Sequence, residues 1–137
     1  MNKLKNAVLA SLVATVVLSA MMLIKTKMGV MPELNIIQML AGMMGAGAVV
    51  GWLMHFMVGI GYGIAFSQIN QLLPSKNMVV KGILIGIAGW LVMMIALMPM
   101  MGVGMFGMKM GIMAPMMTLI LHIIFGATLG FVYSKLS

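Results

Sequence analysis

The chain has 137 residues, 64% hydrophobic and only 7% charged, with a net charge of +7 from eight lysines set against the lone acid Glu33. Soluble domains carry about 25% charged residues, so the composition excludes a soluble fold and marks an integral membrane protein. The lysines sit singly at the ends of apolar runs, where they orient spans and meet anionic headgroups rather than nucleic acid, and the lack of cysteine excludes disulfides, thiolate metal sites and thiol catalysis.

The first apolar run, Asn6 to Ile24, is flanked by Lys3 and Lys5 before it and Lys25 and Lys27 after it. At about 1.5 Å per residue it reaches roughly 28 Å, enough to cross the hydrocarbon core. Its basic start and Ser19-Ala20 resemble a signal peptide, but bulky Leu18 stands three residues before that cut, so a retained span is expected. A connection with Pro32 and Glu33 leads to an apolar stretch from Asn35 to Met44, too short to span. It predicts a short interfacial or half-inserted helix with Asn35 as N-cap. The second span is expected over 46–73, ending at Pro74. The loop 74–77 is short enough to make spans two and three an antiparallel hairpin. The third span covers 79–98 and stops at Pro99; a Met- and Gly-rich connection follows. The fourth covers 113–133, with Pro115 tolerated in its first turn. The fold class is therefore an all-α membrane protein of four transmembrane helices in a single domain, 1–137.

Four-residue spacing recurs along these spans. Gly47, Gly51, His55, Gly59 and Gly63 share one face of the second span, and Gly82, Gly86 and Trp90 one face of the third. Ala7, Ser11, Thr15 and Ser19 form a comparable face on the first. Helices in lipid associate through such small-residue faces, so packing is the main role expected of them. His55-x-x-x-Gly59-x-x-x-Gly63 returns as His122-x-x-x-Gly126-x-x-x-Gly130, and the chain has no other histidine. A shift of 67 residues superposes the two copies; a shift of 76 puts Lys5 on Lys81. The expectation is two related hairpins in a parallel repeat, with both imidazoles at equal depth near a pseudo-two-fold axis.

Ionisable groups inside a membrane are costly and face a partner or a cofactor. One reading has each histidine hydrogen-bonded to a neighbouring helix. A second makes His55 and His122 paired axial ligands of a haem b, with Gly59, Gly63, Gly126 and Gly130 admitting the flat macrocycle and Lys25, Lys27 or Lys109 meeting its propionates. That pattern is similar to cytochrome b subunits, which carry two haems and four histidines where this chain has one pair. Quinone, small-solute, proton or metal-ion handling is a third. Met98-x-Met100 and Met108-x-Met110 resemble thioether copper(I) sites, although methionine is also an adaptable apolar filler. A single acid rules out paired-carboxylate chemistry, and no phosphate loop or Ser-His-Asp set is present. No enzymatic activity is expected.

The segments 51–59 (GWLMHFMVG), 98–107 (MPMMGVGMFG) and 121–133 (LHIIFGATLGFVY) resemble a family of small four-span bacterial inner-membrane proteins of unknown function. The resemblance implies that fold and location, and no activity. Five lysines (Lys3, Lys5, Lys76, Lys81, Lys135) against three (Lys25, Lys27, Lys109) favour both termini in the cytoplasm. The connections 35–46 and 98–113 are too apolar to lie free in water. They point beyond the lipid bilayer to other membrane-protein subunits or a homo-oligomer as partners. The reading that follows is a small accessory subunit of a larger, respiratory or other, membrane complex.

Overall fold

The structure, a computed structural model, describes residues 2–137. Among these residues it is all-helical, without a strand, and four helices are long and apolar enough to cross a membrane: Lys3–Lys27, Ala48–Leu72, Met78–Met100 and Met113–Leu136. Asparagines start several of its helices, because a short amide side chain can accept the backbone N–H groups that a first turn leaves free. Asn2 caps α1 (Lys3–Lys27), Asn35 caps α2 (Ile36–Met43), and Asn77 precedes α4, which begins at Met78. Between them, α3 (Ala48–Ile69) starts at Gly47 and closes in a 3₁₀ turn whose Asn70 amide donates back to the Phe66 and Ser67 carbonyls. The last helix, α5 (Met113–Leu136), carries Pro115 in its first turn.

α4 does not stop before Pro99. Its α-helical part, Met78–Val92, opens into a π-helical turn, Met93–Leu97, then closes through Met98–Met100. A proline inside a helix offers no N–H and crowds the carbonyl four residues earlier, here that of Ile95. Widening the preceding turn makes room for the ring, so the helix continues past it.

The small-residue faces pair in antiparallel register. Along α1 and α3, Ser11 lies against Gly63, Thr15 against Gly59, and Ser19 against His55. Along α4 and α5, the Met78 carbonyl lies against Gly130, Gly82 against Gly126, Gly86 against the His122 carbonyl, and Trp90 against Thr118. A Cβ added at Gly59, Gly82 or Gly126 would overlap the facing helix; bare backbone lets these helices approach until dispersion contacts hold them together. The shift of 67 residues carries both partners of the first set onto the second, Ser19 and His55 falling on Gly86 and His122. The 76-residue shift that aligns Lys5 with Lys81 is not the spacing of the packing faces. Those lysines mark where a helix leaves the apolar layer, whereas small residues decide where two backbones touch.

The helices neighbour one another in the order α3, α1, α5, α4. α1 packs against both α3 and α5, and α5 against α4, but α3 and α4 meet only sparsely. Aromatic edges bridge α3 to α5 across the centre: Tyr62 to Phe125 at 5.4 Å and Phe66 to Tyr133 at 5.3 Å between ring centroids. With Leu129 and Ala10 they fill the half of the interior nearest the termini.

The apolar connections fold back on the opposite end. α2 lies on α3, with the Ile37 carbonyl against Gly51. Leu34, Met94 and Met98 form a buried cluster, surrounded by Met31, Met39, Trp90, Phe106 and Met110 among others. Phe106 holds a left-handed backbone (φ 57°), a conformation costly for a side chain that large. Its ring meets Trp90 edge-on, at 5.8 Å between centroids.

A histidine-lined cavity inside the bundle

Between the aromatic layer and the methionine cluster lies a cavity of about 330 Å³. Its walls are largely apolar, but His55, His122, Tyr62, Thr15, Thr118 and Lys25 all border it. Both histidines therefore line one space. Their local chemistry differs.

His55 lies where the glycine ladder of α3 admits one imidazole, and it is buried (7% exposed). Its Nε2 is 3.2 Å from the Ser19 hydroxyl. That hydroxyl has a single proton, which it donates to the Thr15 carbonyl at 2.7 Å. Ser19 must therefore accept, so His55 donates from Nε2 and, as a neutral ring, bears its lone pair on Nδ1. His122 is the reverse. Its Nδ1 stands 2.8 Å from the Thr118 carbonyl, which can only accept. Nδ1 thus holds the proton, and Nε2, which has no hydrogen-bond partner among the described residues, bears the lone pair. The difference follows from the facing residue: Ser19 offers a side-chain oxygen to His55, whereas Gly86 offers His122 nothing but backbone.

A pair of axial haem ligands would need one lone pair from each ring converging on a single iron. The residues do not fit that group as arranged. His55 commits Nε2 to Ser19 and packs edge-on against Trp52 and Phe56, each 5.9 Å away between centroids, while His122 packs against Tyr62. Gly63, Gly126 and Gly130 are covered by the facing helices rather than open to a macrocycle. Of the expected propionate partners, Lys25 is already consumed.

Lys25 is the residue whose role the sequence left least visible. Buried at 7% exposure, its ammonium donates to the carbonyls of Val30 (3.0 Å), Met31 (2.7 Å) and Leu34 (3.1 Å). It closes the turn after α1 by meeting carbonyls that would otherwise face an apolar surround, while its alkyl stem borders the cavity. A lysine in the last helical turn is a recognised pointer to this use. Trp90 is similar: its indole N–H donates to the Pro115 carbonyl (3.1 Å) and the Thr118 hydroxyl (3.0 Å), tying α4 to α5.

The four methionines of the copper reading are not brought together. Met98 is fully buried and Met110 packs beside it, whereas Met100 is 72% and Met108 53% exposed. Residues two apart on a helix do not share a face, which separates Met98 from Met100.

No curated protein and no solved structure gives a significant match to this sequence. A family model described as "Family of unknown function (DUF6789)" does match, over residues 1–137, and with a four-span helical architecture in place, the chain belongs to that family.

Proposed function

We propose that this chain is a non-enzymatic subunit of a larger assembly in a bacterial inner membrane, built from two related hairpins and holding both termini in the cytoplasm. The observation that carries this reading is the apolar surface at the loop end of the bundle. Met28 (73% exposed), Met44 (61%), Met100 (72%), Met105 (54%) and Ile112 (61%) lie in or beside connections, at the level where an isolated protein meets headgroups and water. Apolar side chains gathered there gain most from cover by another protein. Ser11, Thr15, Ser19, Thr118 and Lys25 spend their donors on backbone carbonyls, as structural side chains do.

The shared antiparallel register supports the repeat, and the lysines support the orientation. With Lys25 spent inside the fold, only Lys27 and Lys109 remain on the connection side, against five on the side of the termini. Extraction from native membranes in mild detergent, followed by native mass spectrometry, tests the assembly. The expected result is a species well above 14.7 kDa with distinct co-purifying chains. A lone monomer that stays soluble without partners would overturn it.

A further inference from the structure

The two hairpins use one register, yet they do not meet symmetrically. The closely packed α1–α5 contact has its counterpart in α3–α4, where the two backbones meet only sparsely. Tyr62 stands in this seam with its ring against Gly89, where no Cβ intervenes. Beyond it, Val58 of α3 and Val92, Met93 and Ala96 of α4 border the cavity. Val92 is 67% exposed, so the cavity's edge lies on the outer surface of the bundle, where lipid surrounds the spans.

We propose that this cavity binds a lipid-soluble molecule carrying a hydroxyl group, which enters from the bilayer through the α3–α4 seam and donates its proton to Nε2 of His122. Three observations specify the ligand. The walls are largely apolar, which selects a molecule that partitions into the membrane, and the volume of about 330 Å³ is at the lower end of small-molecule sites. The Thr118 carbonyl fixes the proton of His122 on Nδ1, so the free nitrogen is an acceptor and calls for a donor. The edge-on rings of Tyr62 and Phe125 beside His122 offer aromatic surface to a flat or chain-like head. A hydroquinone and a diacylglycerol share this chemistry: a hydroxyl on an otherwise apolar body.

The test uses the full chain in lipid nanodiscs, with radiolabelled decylhydroquinone and dioctanoylglycerol as probes. Each is paired with its O-methylated twin, and uptake by empty nanodiscs is subtracted. At least one hydroxyl probe is expected to bind saturably and roughly tenfold more tightly than its twin, the worth of one well-made hydrogen bond. The probe showing the larger gap identifies the class. In His122→Phe the gap closes, whereas in Gly61→Ala, which faces open space, it stays. Twins that bind alike, no saturable binding of either probe, or a gap that survives His122→Phe would each overturn the proposal. So would a photo-crosslinker at Val92 that captures another polypeptide rather than lipid in native membranes. The wild-type comparison of twins is decisive even if the His122 variant fails to fold.

Discussion

His55 donates to the hydroxyl of Ser19, 3.2 Å away, and this contact continues the same ladder in which Gly59 meets Thr15 and Gly63 meets Ser11. The histidine is thus a rung of the α1–α3 interface as well as a wall of the cavity. Removing one partner leaves a buried donor or acceptor unmade, whereas removing both need not. Ser19→Ala is expected to lower stability by about 1 kcal/mol, and His55→Leu by a similar amount. The double variant should lose less than the two losses combined. Thermal unfolding in detergent measures the cycle; strict additivity would mean that the contact carries no energy.

The glycines divide sharply by position. Gly82 and Gly126 face each other's backbone, so Gly82→Val or Gly126→Val forces α4 and α5 apart, with an expected cost of about 3 kcal/mol or complete loss of the folded species. Gly61 lies on α3 with open space where an alanine methyl would stand, and Gly61→Ala is expected to raise stability by about 0.5–1 kcal/mol through helix propensity. Melting temperatures of the purified variants check both directions.

Lys25 predicts a third outcome. Lys25→Met strips three carbonyls of their ammonium donor, at an expected cost of about 2 kcal/mol or more. Exposed Lys27→Met should be nearly silent. Hydrogen exchange over residues 28–35 is the sensitive readout, because the loosening is local: protection should fall in the Lys25 variant alone.

Orientation can be read directly, since the chain has no native cysteine to interfere. In intact cells an impermeant thiol reagent is expected to label Met105→Cys, in the connection before α5, and to label Ser75→Cys, in the α3–α4 loop, only after permeabilisation. The reverse pattern would place both termini on the far side of the membrane.

What the sequence alone determined was much of what neighbours along the chain govern, though not the π-helical turn that carries α4 past Pro99. Apolar runs of sufficient length make spans, Asn35 caps the helix that follows it, and four-residue spacing gathers Gly59 and Gly63, or Gly126 and Gly130, onto one face. These follow from the pitch of a helix and the needs of its first turn. Tertiary structure decided which faces meet and in what register, because that depends on shape across residues distant in sequence. It set Ser19 opposite His55 but Gly86 opposite His122, giving two matched histidines opposite tautomers. It sent Met98 inward and Met100 outward, and drew Lys25 into the turn beyond its own helix. It also left the α3 and α4 backbones in sparse contact, bridged by the Tyr62 ring on Gly89, where α1 and α5 pack closely. A motif that occurs twice offers two similar surfaces, but only the packed bundle decides which pair of helices packs closely and which meets sparsely.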